Sequence, residues 1–287
     1  MINRYTLALI LLASLGCTRK PSIPFAEYGA GYQSKPDFAA VEHDHPLTAA
    51  VLAGLKPADL KEFDQEQIEQ IYARLTAGPI PDGAFDGDLF LPRGSSGYAR
   101  LGEILGGFKG VAMHLEVKKI EALGRFLWKG KLFNRQTMIL RNRIDHVDML
   151  TEFFPDKADQ IRSLENEKGE KLLFPAKLYC GQSLLDSRRE SVIIDYAFTE
   201  EIEPFYRAIP DSLGGRDGLM IRDEIRMVRP GFYLGRAYLN GAFGLNFTLY
   251  NAKIAEAGQA EYATSGKSQE DCWVGTQRLA AGAAQGQ

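Results

Sequence analysis

Beyond Gly130 apolar and polar side chains alternate with a period of two, and the runs KLFNRQTMILRNRI, KLLFPAKLYCGQSLLD, ESVIIDYAF, GLMIRDEIRMV, FYLGRAYL and GLNFTLYN are separated by turn residues. An extended chain sends successive side chains to opposite faces, so each run predicts strand structure. At least six strands in succession favour an antiparallel sheet that closes into a barrel or packs as a sandwich, because closure removes exposed edges. Before Gly130 the period lengthens. In HPLTAAVLAGLKPADLKEFDQEQIEQIYARLTAGPIPDG the pattern predicts helices broken at Pro57. The last has Asp64 as N-cap, Gln67 three residues on, Ile68, Ile71, Tyr72 and Leu75 at helical spacing, and Gly78-Pro79 as its stop. PDGAFDGDLFLPRGSSG is dense in turn residues, with one short strand expected over 88–91. In FKGVAMHLEVKKIEALGRFLWKG, Val111, Leu115, Ile120, Leu123 and Leu127 fall close to one helical face.

The stretch IRDEIRMVRPGFYLGRAYLN, residues 221–240, places charges where a core face should be. With Pro230-Gly231 as a two-residue loop, Ile225 opposes Arg236 and Asp223 opposes Tyr238. One face then carries Ile221, Asp223, Ile225, Met227, Leu234, Arg236 and Tyr238, and the other carries Arg222, Glu224, Arg226 and Val228 with Tyr233, Gly235, Ala237 and Leu239. The first face is the more apolar and is expected to look inward, with Asp223 and Arg236 diagonally paired, since a lone buried charge costs several kcal/mol. A slip of one residue exchanges the faces. In the alternative reading the charges form a cross-strand ladder of ion pairs facing water.

The N-terminus, MINRYTLALILLASLGC, has a basic start at Arg4, an apolar run from Leu7 to Ala13 and small residues before Cys17, the layout of a secretory signal segment. Ser14-Leu15-Gly16-Cys17 resembles the lipobox of bacterial lipoproteins, with Ser14 where an aliphatic residue is usual. That resemblance implies cleavage before a lipidated Cys17, and Thr18 after it implies the periplasm-facing side of a bacterial outer membrane. Acyl chains anchor at about 0.8 kcal/mol per buried methylene. The following TRKPSIPFAEYGAGYQSKPDF reads as a mobile tether. The chain divides into signal segment (1–16), tether (17–40), helical region (41–128), antiparallel barrel (129–275) and disordered tail (276–287), an α+β fold with a helical N-terminal part. In an oxidising periplasm Cys180 and Cys272 form a candidate disulfide; two separate buried thiols are the alternative.

A formal net charge of −3 offers no basic footprint for nucleic acid. His43, His45, His114 and His146 fall in no zinc-binding spacing, so no metal or other cofactor is expected. Asp82, Asp86 and Asp88 lack calcium-loop spacing, and GSSG (94–97) and the surroundings of Ser183 lack the frame of a nucleophile elbow. What remains is the set Asp186, Arg188, Asp195, Asp223, Arg236, Tyr238 and Tyr250 on the expected strands.

GRFLWKGKLF followed by IIDYAF and DEIRMV resembles lipocalin-like proteins of unknown function that carry a Gly-x-Trp-x-Gly motif. Trp128 and Gly130 match, while Gly124 lies four residues before the tryptophan instead of two. The resemblance covers 124–251 and implies a lipocalin-like β-barrel around a small-molecule cavity. The resulting expectation is a membrane-anchored protein that binds a small amphipathic or lipid-like molecule. Trp128, Ile225, Leu234 and Phe247 would supply apolar wall, and Asp223, Arg236 and Tyr238 polar contacts or acid–base groups. An acid–base enzyme using the same cavity and a structural or interaction lipoprotein with a packed interior are the other readings.

Overall fold

The computed structural model describes residues 21–29, 35–94, 127–145, 164–197, 202, 211–216 and 218–275. Nine strands are present among them: β1 (Gly83–Phe90), β2 (Trp128–Asn134), β3 (Ile139–Ile144), β4 (Leu164–Glu165), β5 (Lys171–Gln182), β6 (Glu190–Asp195), β7 (Ile221–Arg229), β8 (Phe232–Leu239) and β9 (Ala242–Tyr250). β1 pairs with both β2 and β9, and β3 pairs with β5, so all but β4 close into an eight-stranded antiparallel barrel. β4 extends the edge of β5 where β6 does not reach. This meander has unequal ends. The connections 91–127, 145–170 and 196–220 all leave from one end, whereas 135–138, 183–189 and 230–231 close the other.

Short helices α1 (Phe38–Asp44), α2 (Ala49–Gly54), α3 (Pro57–Leu60) and α4 (Gln65–Ala73) precede β1, and α5 (Ala252–Ser265) follows β9. α4 starts where the sequence indicates. Asp64 and Gln67 form a capping box that satisfies otherwise orphaned backbone N–H groups of the first turn. α5 is capped by Asn251, whose side chain accepts from Ile254 N.

The fold departs from the sequence reading in four places. β1 runs for eight residues where only a short strand over 88–91 was expected in a turn-rich part of the helical region, and it is a wall of the barrel. α5 lies inside the span assigned to strands. Part of the expected tether is docked: Ile23 is buried, and Gln70 of α4 brackets Ala26, accepting from its N–H at 2.9 Å and donating to its carbonyl at 2.7 Å. Finally, the β7–β8 register is shifted. Pro230-Gly231 does form the two-residue loop, with Gly231 at φ +73°, but an irregularity between Met227 and Arg229 leaves Val228 as an extra residue. Arg236 therefore faces Glu224, and Asp223 faces Ala237. The signal segment with Cys17, the helix expected over 111–126, His114, His146 and the tail lie outside the described residues.

Inside the barrel, alternate positions of the strands supply Phe85, Phe133, Leu178, Ile194, Ile225 and Leu249, none more than 3% exposed. Each such side chain contributes roughly 1.5–3 kcal/mol on leaving water. Trp128 and Gly130 explain how β2 enters this core. A register shift separates them, Gly130 takes φ +126°, and a Cβ there would lie 2.0 Å from the Phe85 carbonyl oxygen. Only glycine fits. The shift turns the Trp128 ring inward, edge-on to Phe247 with centroids 5.8 Å apart.

Candidate functional site

The sequence-derived residues fall on two sides of the barrel wall. Asp223, Ile225, Trp128 and Phe247 belong to the interior side; Arg236, Tyr238 and Leu234 belong to the exterior side, where they pair with Glu224, Arg222 and Arg226. The diagonal Asp223–Arg236 couple is not formed, because the Val228 bulge shifts β8 by one position against β7. The interior pairs Asp223 with a residue that the sequence reading passed over, Lys131 of β2.

Lys131 is 2% exposed and all three of its protons are used. Nζ donates to Asp223 Oδ2 at 2.9 Å, to Tyr196 Oη at 2.6 Å and to Asn142 Oδ1 at 2.9 Å. The rings of Trp128, Tyr196 and Phe247 surround the ammonium, with centroids 5.3 to 5.4 Å away. Trp128 Nε1 donates to Asn142 Oδ1 at 2.8 Å, tying the tryptophan into the same network. Burial opposes the charge on Lys131, but Asp223 and Tyr196 outweigh it and its pKa is raised. Burial pushes the Tyr196 hydroxyl up to about 12, with Lys131 pulling it down. The cluster is a charge-compensated polar floor in an apolar barrel, near the end from which the long connections leave. Its sequence signal was the lysine two residues before Phe133, on the same face of β2.

On the exterior, β6 to β9 meet α4 through a layer of buried charge. Arg236 Nη2 reaches Glu69 Oε1 at 3.3 Å, its Nε donates to Tyr238 Oη at 3.0 Å, and its guanidinium lies 4.1 Å from the Phe243 centroid. Burial works against the Arg236 charge, yet Tyr238 and Glu69 overcome it and raise the pKa. Arg226 donates to Ser191 Oγ and to the carbonyls of Tyr72, Asp186 and Arg189, and pairs with Asp186 at 3.3 Å. Asp186 also binds Arg188, which with Arg189 holds Glu42 of α1. With Asp223 inside the barrel, the remaining buried charges of 221–240, Glu224, Arg226, Arg229 and Arg236, lie on the outer face against the helices and neighbouring loops, and they form neither a couple with Asp223 nor a water-facing ladder. Asp82 just before β1 and Asp86 and Asp88 within it meet Arg135 N, Arg143 and Lys61 separately.

An open cavity of about 460 Å³ lies on the outer wall of β2, β3 and β5. Leu132, Ile139, Leu140, Leu172, Leu164 and Ile202 supply its apolar surface, with Asn134, Thr137 and Arg141 as its polar members. Arg141 is half-buried, and its Nη1 has no hydrogen-bond partner among the described residues. Burial lowers its pKa, and the Coulombic pull of Asp211 opposes that. The sequence held a trace of this groove in Leu132 and Ile139, apolar residues at outward positions of β2 and β3.

Asp211 lies in a 3₁₀ turn (Asp211–Gly214) against β5, 2% exposed, and its carboxylate accepts the Phe174 N–H. Phe174 has φ +50°, an uncommon conformation for a residue with a Cβ, and its carbonyl accepts from Asn142 Nδ2 at 3.1 Å. One carboxylate thus steadies a strained residue that in turn holds the polar floor. Burial raises the Asp211 pKa to about 6, against the Phe174 N–H and Arg141, which lower it. The folded state then binds this proton more tightly than the unfolded chain. Asp211 contributes stability that is fully present below about pH 4 and lost as pH rises through about 6, on the order of 2–3 kcal/mol. Comparing the urea-unfolding free energies of wild type and Asp211→Asn from pH 4 to 7 isolates this slope. Wild type should lose roughly 2–3 kcal/mol relative to the variant across that window, and a constant difference would show that Asp211 does not titrate there.

No protein-family model matches the chain, and no curated protein matches it. Among solved structures, a crystal structure of a protein from Thermomonospora curvata is similar at 19% identity and a TM-score of 0.34, over 68% of this chain and 91% of that one. Among the described residues no helix is long and apolar enough to cross a membrane.

Proposed function

We propose that this is a membrane-anchored periplasmic protein that binds a small amphipathic anion on a lipocalin-like barrel, with the wall groove, not the barrel interior, as the binding site. The observation that carries this reading is the groove: its volume of about 460 Å³ falls in the range of small-molecule sites, its lining is mostly apolar, and it has one guanidinium. Arg141 suits a carboxylate or phosphate head, while Leu132, Ile139 and Leu172 suit an acyl or other apolar tail. The interior offers less, since Lys131 already spends every proton on protein partners. The lipocalin-like kinship draws support from Trp128, which enters the barrel at the start of β2 as that motif implies.

Native mass spectrometry of protein extracted from its own membrane should retain a bound amphiphile. Arg141→Gln should weaken binding of a fluorescent fatty acid about 10- to 100-fold, the value of a charge-assisted hydrogen bond of about 1.5–3 kcal/mol. Unchanged affinity in that variant would exclude the groove as the binding site. The contact of Tyr196 Oη with both Lys131 and Asp223 favours, as a second reading, an acid–base enzyme working at the floor. There Tyr196→Phe would abolish turnover while leaving groove affinity intact.

A further inference from the structure

We infer that the short-turn end of the barrel stands against the bilayer and that the opposite end, with the β8–β9 turn, faces away from it. The inference rests on the proposed lipidation of Cys17 and adds the orientation in which the anchored protein is held. It comes from how little chain is free to act as a tether. Segment 21–29 is fixed to the folded body: Arg74 Nη1 donates to the Pro24 carbonyl at 3.1 Å, Phe25 packs edge-on to Phe63, and Tyr28 Oη donates to Glu69 at 2.9 Å. Gln70 holds the backbone of Ala26 on both sides. Only Thr18, Arg19 and Lys20 separate Cys17 from Pro21. Four chain steps span at most about 14 Å when fully extended.

Pro21 lies at the end of α2, where a Cβ on Gly54 would be 2.9 Å from its Cγ. The neighbouring Leu55 carbonyl accepts from Arg229 Nε, and Gly231 abuts Ala255 of α5. The first contact sets the end of α2 beside the β7–β8 turn, the second sets the start of α5 there, and Gln259 of α5 donates to the Ala53 carbonyl of α2, so all three lie at the short-turn end. The opposite end of β8 is about 23 Å farther along the strand at about 3.3 Å per residue, or roughly 17 Å along the barrel axis for a tilt of about 40°. That distance exceeds the reach of the tether. The residues held near the headgroups are then Gly54, Lys56 and the start of α5, where Lys253 is exposed, and Arg19 and Lys20 flank the anchor with charge suited to anionic lipid. Exposed apolar side chains do not decide the matter, since Leu184, Ile254 and Trp273 occur at this end and Leu164, Leu219 and Met220 at the other.

The test uses full-length lipidated protein in vesicles of phosphatidylethanolamine and phosphatidylglycerol. A fluorophore is attached to an added cysteine, Lys56→Cys or Asn240→Cys, in the β8–β9 turn for the second. A headgroup-bound quencher should remove most of the signal at 56 and leave that at 240. A flexible Gly/Ser insert of about 20 residues between Lys20 and Pro21, with a root-mean-square reach of about 25 Å, should abolish the difference. Equal quenching at both sites without the insert, or stronger quenching at 240, overturns the orientation. The mass of the N-terminal peptide separates the two levels of the argument: an unmodified Cys17 defeats the anchoring reading and the orientation with it, whereas a lipidated Cys17 with uniform quenching defeats the orientation alone.

Discussion

Asp223→Ala should lower the unfolding free energy by roughly 3–5 kcal/mol, the cost of leaving a buried charge without its partner. Lys131 is 2% exposed among three aromatic rings, and Asp223 is its one anionic contact among the described residues. Its pKa is raised because Asp223 and Tyr196 outweigh burial, so the single variant must bury an uncompensated ammonium or give up its proton. Adding Lys131→Met should recover most of the loss, since an apolar replacement of a whole buried pair is often neutral. Urea-unfolding midpoints of the two single variants and the double variant measure the coupling directly. A cost under about 1 kcal/mol for Asp223→Ala would mean that the floor is wet, with water in place of the carboxylate.

Reduction of the Cys180–Cys272 disulfide should cost a comparable amount. The bond spans 92 positions, and in the chain-entropy view a loop of that length is worth roughly 4–5 kcal/mol. It also fixes the segment after α5 across the short-turn end. Glu270 accepts from Thr76 Oγ1 and Gly78 N, Asp271 accepts from Ile80 N and pairs with Arg135, and Trp273 exchanges hydrogen bonds with Glu190. Cys272→Ser should therefore lower the urea midpoint and, in hydrogen exchange, expose residues 266–275 before the barrel strands. Simultaneous exchange of this segment and β5 would show instead that the segment has no stability of its own to lose.

Much of the barrel was written in side-chain alternation, and what was missed has identifiable causes. β5 to β9 keep apolar residues at every second position with turn residues between, so their number and direction were readable. α4 was announced by Asp64 and Gln67. β1 was obscured by its own Gly and Asp content: Gly87 is needed because Trp128 fills the space its side chain would take, and Asp86 and Asp88 face outward to cations. The Val228 bulge leaves no mark in composition, yet it moved Arg236 and Tyr238 to the other side of the wall. α5 escaped notice because only Ala255 and Tyr262 of its residues are buried, too narrow a stripe to stand out. Segment 21–29 has the composition of a linker, and what holds it is largely Gln70 gripping its backbone, which composition does not record.

The charged layer between α4 and the barrel has a bearing on how the molecule came to be assembled. Arginines 226 and 236 sit on strands, while Glu42 and Glu69 that help neutralise the layer sit on helices encoded well over a hundred residues earlier. Cut before β1, the sheet would lose the Glu69 carboxylate that meets Arg236 and the Tyr72 carbonyl and ring that cover Arg226, and the helices would lose the surface on which their carboxylates rest. Recombination or truncation at that apparent seam divides one electrostatic unit in two, so the two halves are bound to be inherited, and to melt, together.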